Sequence, residues 1–351
     1  MYKFMRVFIC FQKNKMLASR LCRVPITVFV TSLGKQSVLV KPTQSCMYTR
    51  VQMYANQVKT GLGRQAKRQT LKEKLTAPAT DKPFRMGQGL VAGASVVGLG
   101  ALCFYGLGMS KEAGTIHTSL MWPEEVKKRV HDTYMYFGGS LIITAASAIA
   151  ASRSPAMMRM MAKNSWMAIG ATFAAMIGSG MVCRAIPYEP GFGSKQIAWM
   201  VHSGIMGAVV APLMFLGGPL LMRAAWYTAG VVGGLSTIAV CAPSEKFLNM
   251  GGPLAIGLGL VFASSIGTWF LPPTTALGAG MYSIAVYGGL VLFGMFLLYD
   301  TQKVMKMAET YPFYAERKFD PVNASIGIYL DTLNIFIRIA MILAGNGGRK
   351  K

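Results

Sequence analysis

Eight stretches of about twenty mostly apolar residues follow one another from residue 89 to the C-terminal end of the chain. A helix needs about 20 such residues to cross the hydrocarbon core of a bilayer. The chain is 53% hydrophobic and only 14% charged, whereas soluble domains carry about 25% charged residues. The sequence therefore predicts an all-α polytopic membrane protein, with spans at 89–109, 133–152, 165–183, 198–219, 224–242, 251–271, 279–300 and 324–344.

The N-terminal region has the composition of a mitochondrial transit peptide. Up to residue 85 it contains 17 Lys and Arg against two acidic residues, so it supplies +15 of the net charge of +23. A basic, hydroxyl-bearing segment without early acidic residues is typical of transit peptides, and its apolar patches are too short for a secretory signal. We expect a transit peptide over about 1–55 and a basic matrix-side segment over 56–88, with translation starting at Met1 or Met16. The alternative is a basic tail that binds anionic lipid.

The number of spans bears on orientation. An even number places both ends of the mature chain on one side of the membrane, here called side A; the opposite side is side B. Outside the N-terminal region, the connections on side A contain Lys and Arg but no acidic residue. The orientation rule for membrane proteins counts Lys and Arg, so the N-terminal region and the basic tail 345–351 predict that side A faces the mitochondrial matrix.

Two of the few acidic residues lie in strongly apolar surroundings. Asp300 ends a span and follows LVLFGMFLLY, and Asp331 lies seven residues into the last span, about 10 Å along its axis. These spans run antiparallel, so the two carboxylates are predicted to meet near side B. Asn334 and Arg338 follow at i+3 and i+7 from Asp331, on the same helix face. A polar face on a lipid-embedded helix is expected to point into the bundle.

Two carboxylates that share a low-dielectric site have a specific chemistry. One of them holds a proton, or both ionise when a cation or an arginine is present. Protons and a hard divalent cation would compete for the pair, and calcium would also need carbonyls and water because it takes about 6–8 oxygens. Asp300 and Asp331 are therefore predicted as transient calcium ligands. The structural alternatives are an interfacial Asp300 at a helix end, and an Asp331 neutralised by Arg338 or a neighbour.

The residues around these aspartates resemble the Bax-inhibitor family of membrane proteins. Tyr-Asp at 299–300 and YLDTLN at 329–334 are similar to the last two helices of that family, and RAAWYTAGVVGGLSTIAVCAPSEKFLNMG at 223–251 is similar to its middle. The resemblance covers roughly 130–345.

The resemblance has consequences for the fold. It implies a seven-helix Bax-inhibitor-type bundle over 133–344, with the last helix at its centre. The span at 89–109 is then one extra N-terminal transmembrane helix.

The resemblance also implies a function. It implies calcium permeation or calcium/proton exchange governed by an aspartate pair, which maps onto Asp300 and Asp331; calcium and protons are then transported ions, and no cofactor is expected. In bacterial members an arginine at the end of the second family helix partners that pair, and Arg184 is the nearest match here.

One mitochondrial inner-membrane member of the family is particularly similar. The basic N-terminal region, the extra helix and the phrases GALCFYGLGMS, IPYEPG and GGRKK carry this resemblance. It implies roles in cristae organisation and in retention of cytochrome c during apoptosis. Expected partners are the lipid bilayer, cytochrome c, and cristae-organising or quality-control proteins of the inner membrane.

Two classes of function remain open from the sequence. One is an ion transporter that uses the aspartate pair, and the other is a scaffold that organises cristae without transport of its own. No nucleophile–base pair, nucleotide-binding loop or metalloprotease motif is visible, so an enzyme is not expected. The cysteines show no metal-site spacing, and the localised basic charge gives no reason to expect nucleic acid. His202 is predicted to be hydrogen-bonded inside the bundle, and residues 124–129 are predicted to form a solvated loop.

Overall fold

The computed structural model describes residues 77–347, except 108, 111–113, 115–118, 120, 163–165 and 244. The predicted transit peptide at 1–55, most of the basic segment at 56–88 and the end of the tail at 345–351 lie outside the described residues. The described residues form ten α-helices: α1 Lys82–Gly106, α2 Glu124–Arg153, α3 Pro155–Ala162, α4 Trp166–Ala185, α5 Ser194–Val210, α6 Gly218–Cys241, α7 Gly251–Phe270, α8 Ala276–Ser283, α9 Gly289–Thr310 and α10 Pro321–Gly347.

Three shorter helical segments adjoin these helices. Two are 3₁₀ turns, and the third is a π-helix that makes α8 and α9 one continuous helical stretch: Ala211–Leu216, Leu248–Met250 and Ile284–Gly288. The described residues contain no β-strand; a single isolated bridge joins Pro78 to Thr275. The prediction of an all-α protein is confirmed.

Seven helical stretches among the described residues are long and apolar enough to cross a membrane. They are Lys82–Gly106, Glu124–Arg153, Ser194–Leu216, Gly218–Cys241, Leu248–Phe270, Ala276–Thr310 and Pro321–Gly345. The remaining predicted span, 165–183, corresponds to the 20-residue helix α4; several side chains near its start lie outside the described part of the chain. The protein is therefore a multi-pass membrane protein.

Helix α10 lies at the centre of the bundle. In its most apolar stretch 78% of the residues are buried, whereas none is buried in the corresponding stretch of α1. It packs against α2, α6 and α9, and it contributes residues to both of the large hydrophobic clusters, for example Tyr329 to one and Ile335 to the other. The expectation that the last helix is central agrees with this packing, and α1 is a peripheral addition.

Local sequence explains several helix boundaries. Pro272 follows the end of α7, and proline does not continue a helix because it lacks an N–H and clashes with the preceding turn. Gly217, between the 3₁₀ turn and α6, has φ +94°, a conformation that favours glycine. Asp320 caps α10: its Oδ1 accepts the backbone N–H of Asn323 at 2.9 Å, and Pro321 takes the first helical position.

Contacts at the two ends of the bundle agree with the predicted order of the spans. On side B, the Asn323 side chain donates to the backbone carbonyl of Arg184 at 3.4 Å, which joins α10 to the end of α4. On side A, the backbone N–H of Ala79 donates to the carbonyl of Thr274, which joins the start of the described chain to the turn between α7 and α8. Which compartment each side faces stays a prediction.

The prediction of a solvated loop at residues 124–129 is wrong, because these residues form the first turns of α2. Val126 is only 2% exposed and packs in the core. Arg129 is partly buried, and its Nη1 donates to the carbonyls of Ala308 and Tyr311 at 3.0 and 2.9 Å. Its guanidinium also lies 5.3 Å from the centroid of the Tyr311 ring. Since carbonyls at a helix C-terminus lack partners within the helix, Arg129 stabilises the end of α9.

Replacing Arg129 with methionine is expected to destabilise this junction. The change removes charge-assisted hydrogen bonds to two carbonyls, and such bonds contribute about 1.5–3 kcal/mol each. Thermal unfolding of the purified protein in detergent measures the loss. The control is Lys128→Met, because Lys128 is exposed in the same helix turn. Equal midpoints for the two variants would contradict the assigned role of Arg129.

Candidate functional site

Asp300 lies inside a helix rather than at its end. The sequence placed it at the end of a span, but α9 continues for ten further residues, to Thr310. The span prediction stopped at the first charge, although TQKVMKMAET, which follows Asp300, is rich in good helix formers. The helix-end part of the structural alternative for Asp300 is therefore wrong, and its depth in the membrane stays a prediction.

The carboxylate of Asp300 packs directly against α10. A Cβ atom placed on Gly327 would lie 2.6 Å from Oδ2 of Asp300, closer than two such atoms approach without one of them moving. The missing side chain of Gly327 thus makes room for the carboxylate. Asp300 is mostly buried, with 9% of its surface exposed.

Asp331 lies one helical turn beyond Gly327 on the same face of α10, because residues four apart in a helix are neighbours. It is fully buried. The axial offset from Gly327 is about 6 Å at 1.5 Å per residue. The structure therefore brings Asp300 and Asp331 to facing helices within about one turn of each other. A carboxylate in such surroundings needs a proton or a positive partner, because an isolated buried charge is strongly unfavourable.

A line of polar or small residues runs along α10 through this point. It consists of Asn323, Gly327, Asp331, Asn334 and Arg338, with spacings of four, four, three and four residues. These spacings keep all five on one side of a helix. We call this set the polar face of α10. Asp300 contacts it from α9.

Arg338 and Asn334 occupy the side A half of the polar face. Nη1 of Arg338 donates to Oδ1 of Asn334 at 3.0 Å and to its carbonyl at 3.2 Å, and Nε donates to the carbonyl of Ala285 at 3.2 Å. Ala285 belongs to the π-helix between α8 and α9. The guanidinium also lies 4.4 Å from the centre of the Phe293 ring. Asn334 and Arg338, predicted to share a face with Asp331, are thus part of one buried cluster.

Lys195 occupies the other end of the polar face and was not predicted from the sequence. It is 1% exposed, and its Nζ lies 2.7 Å from Oδ2 of Asp320, 2.9 Å from the carbonyl of Ile186 and 3.0 Å from Oδ1 of Asn323. One usable signal was present, since Asp before Pro321 is typical of a helix N-cap. Nothing in the local sequence indicated that a lysine from α5 would reach it.

Arg184 and His202 were also singled out in the sequence. Arg184 is exposed at the end of α4, and its carbonyl contacts Asn323, which precedes Asp331 by eight residues, or about 12 Å of helix. Its role as a partner of the pair stays a prediction. Nδ1 of His202 is 2.9 Å from Oγ of Ser179, as expected for a histidine inside a bundle.

The opposite face of α10 holds the helix to α2 and α5. The hydroxyl of Tyr329 lies 2.5 Å from Oγ1 of Thr144, which donates to the carbonyl of Ser203 at 3.2 Å. Because the Thr144 proton goes to that carbonyl, Tyr329 is the donor in the shorter bond. This contact positions α10 without taking part in the polar face.

The side chains of the pair bear on what kind of ion it could bind. Within the described residues there is no group of three or more His, Cys, Asp or Glu side chains that could hold a metal ion. Two carboxylates with nearby carbonyls can bind calcium when water completes the coordination, since calcium accepts about 6–8 oxygens of mixed type.

These features define a multi-pass helical membrane protein with a buried pair of aspartates beside a central last helix. The sequence pattern of the family described as "Inhibitor of apoptosis-promoting Bax1" matches residues 126–348. The chain belongs to the Bax-inhibitor family. The match leaves out α1, in agreement with the expectation that this helix is an addition to the family fold.

Individual relatives support the assignment. The chain is 57% identical over 346 residues to the growth hormone-inducible transmembrane protein of Rattus norvegicus, covering 96% of this chain and 100% of that protein. It is 26% identical to an uncharacterized protein of Helicobacter pylori (strain ATCC 700392 / 26695), over 64% of this chain and 90% of the relative. Bax inhibitor 1 of Arabidopsis thaliana is 27% identical over 47% of this chain and 64% of its own length.

Replacing Gly289 with alanine is expected to disturb the side A half of the polar face. A Cβ at Gly289 would overlap Nε of Arg338, and overpacking of this kind costs about 1–3 kcal/mol. The measurement is the thermal unfolding midpoint in detergent. Gly280→Ala is the matched control, because an added Cβ there meets no atom within 4 Å. A Gly289→Ala midpoint equal to that of the control would contradict the tight packing of Arg338.

Proposed function

We propose that the protein transports calcium across the mitochondrial inner membrane, by exchange with protons or through a pH-gated channel, and that Asp300 and Asp331 bind the transported ions. The observation that carries the proposal is the juxtaposition of the two carboxylates in the bundle, with Asp300 packed on Gly327 one turn from Asp331. Ionisable residues inside a membrane bundle commonly mark an ion or proton pathway.

The proposed chemistry is competition between protons and calcium. When the pair holds a proton, its attraction for a divalent cation falls, and when calcium binds, the proton leaves because both occupy the same oxygens. Acidification therefore lowers calcium occupancy. The polar residues beyond the pair, Asn334 toward side A and Asn323 toward side B, supply oxygens along the same helix face. No covalent step is required, and the proposal is not an enzymatic one.

The mitochondrial location rests on the N-terminal composition and on the resemblance stated above, and the proposed orientation places both mature termini in the matrix. Protease protection of a C-terminal tag, compared between intact mitochondria and mitoplasts, tests the orientation. Digestion of the tag in mitoplasts would contradict it. Support of cristae organisation and of cytochrome c retention belongs to the same proposal.

A second candidate function is a scaffold for inner-membrane proteins. One observation favours it: no residue in the most apolar stretch of α1 is buried within the chain. In this case the aspartates hold the bundle together, and ion flux is absent.

Calcium flux into liposomes that contain the purified protein distinguishes the two functions. We expect flux in the wild type that falls on acidification, and flux that is lower by a factor of about ten or more in Asp300→Asn and Asp331→Asn. This size follows because a hydrogen bond or contact to a charged group contributes about 1.5–3 kcal/mol and each 1.4 kcal/mol is tenfold. Unchanged flux in both variants would refute the role of the pair, and no flux in any pH gradient would favour the scaffold.

Gly327→Ala tests the geometry of the pair while keeping both charges. An added Cβ displaces the Asp300 carboxylate from α10, so we expect lower flux with an altered dependence on calcium concentration. Gly345→Ala, in the same helix, is the control because its Cβ would meet no atom within 4 Å. Flux in Gly327→Ala equal to that of the control would show that the close approach is unimportant.

A further inference from the structure

A buried lysine at the side B end of α10 has surroundings that resemble those of a bound metal ion. The Nζ atom of Lys195 has three oxygen neighbours within 3.0 Å: a carboxylate oxygen of Asp320, the amide oxygen of Asn323 and the carbonyl of Ile186. They come from α10, from the residue that caps it, and from the connection between α4 and α5. We call these oxygens and the lysine the Lys195 site.

The position of Lys195 is unusual for a cation. It is the second residue of α5, and the N-terminus of a helix carries a partial positive charge that disfavours lysine. It is also 1% exposed, and a buried ammonium is stable only when it is paired. The carboxylate of Asp320 compensates for both effects. Anionic and neutral oxygens thus surround a positive charge at a position where the helix N-terminus alone would disfavour it.

The Lys195 site lies on the line that leads to the aspartate pair. Asn323, which accepts from Lys195, is the first residue of the polar face, and Gly327 with Asp300 follows one turn further. The site is open to water on one side, because the Asp320 side chain is 21% exposed. Counted along α10 from side B, the Lys195 site therefore comes before the level of Asp300.

We infer that the Lys195 site is an outer cation-binding site of this protein, in which the lysine ammonium is the resident cation, and that a divalent cation such as calcium binds there when the ammonium leaves. The ligands are those calcium prefers: one carboxylate, one amide oxygen and one backbone carbonyl, with water for the remaining positions. Lys195 then controls which cations enter the polar face, since each must displace the ammonium. This control of entry rests on the proposed transport function; the binding site itself does not.

Terbium luminescence tests the binding site directly. Tb³⁺ serves as the probe because it is a hard cation with the oxygen preference of calcium, and neighbouring aromatic rings sensitise it. Tyr136 provides such a ring, since its hydroxyl accepts from the side chain of Gln196, the residue after Lys195, at 3.3 Å. The protein is the purified full chain in detergent, carrying Asp300→Asn and Asp331→Asn so that the aspartate pair contributes no signal.

In that background, Lys195→Ala is expected to create a saturable Tb³⁺ signal that calcium displaces. The added change Asp320→Asn is expected to abolish it. The control is Lys306→Ala, which removes a half-exposed lysine paired to Glu245 at 3.1 Å and is expected to create no signal. A Lys195→Ala protein without a calcium-sensitive signal, or with a signal that survives Asp320→Asn, would overturn the inference.

Two further variants keep the test decisive if Lys195→Ala folds poorly. Lys195→Gln removes the charge and keeps a hydrogen-bond donor, and Lys195→Arg keeps the charge. Ligand binding to the folded state raises the unfolding midpoint. In the same Asp300→Asn/Asp331→Asn background, calcium should therefore raise the midpoint of Lys195→Gln and leave that of Lys195→Arg unchanged. Equal responses would overturn the inference.

Flux measurements separate this inference from the transport proposal. With the aspartate pair intact, Lys195→Gln is expected to lower the calcium concentration that gives half-maximal flux. A Tb³⁺ site in Lys195→Ala together with no wild-type flux would support the binding site and refute transport. Flux that depends on Asp331, together with no Tb³⁺ site in Lys195→Ala, would support transport and refute the Lys195 site.

Discussion

The burial of the polar face of α10 is the constraint on which the rest of the bundle depends. A helix that carries Asp331, Asn334 and Arg338 can enter a bilayer only if other helices cover those groups, because exposure of a charged group to hydrocarbon is costly. Accordingly α10 is the central helix, with α2, α6 and α9 packed around it. The peripheral α1 carries no charged residue after Arg85, and none of its most apolar stretch is buried.

The charges along α10 follow an order that suits selective cation binding. Positive groups lie toward the two ends, Lys195 on side B and Arg338 on side A, and the two carboxylates lie between them. Both cations are held by oxygens of the protein, and Arg338 also binds a carbonyl of a π-helix. Segments of π-helix are frequent at functional sites. Under the proposed function, each of these positive groups would compete with a cation that enters from its own side.

The sequence predicted the features that depend on composition and helical spacing. The apolar stretches located the helices, and the spacing of Asp331, Asn334 and Arg338 placed them correctly on one face. The predictions failed where a charge was taken as the end of a helix, at Asp300 and at 124–129, because tertiary packing extends both helices past these charges. Lys195 was missed because its contacts join α5 to α10 across more than a hundred residues, and no local pattern encodes such a pairing. The contact between the Arg184 carbonyl and Asn323 is of the same long-range kind.

We propose that Asp300 and Asp331 form one site that exchanges protons for calcium. Proton release measures this exchange when calcium is added to the purified protein in weakly buffered detergent solution with a pH indicator. We expect about one proton released per calcium bound by the wild type, because two carboxylates that share a low-dielectric site hold one proton between them. We expect no release from the Asp300→Asn/Asp331→Asn variant. Calcium binding by the wild type without proton release, or equal release from the double variant, would rule out a shared proton and calcium site.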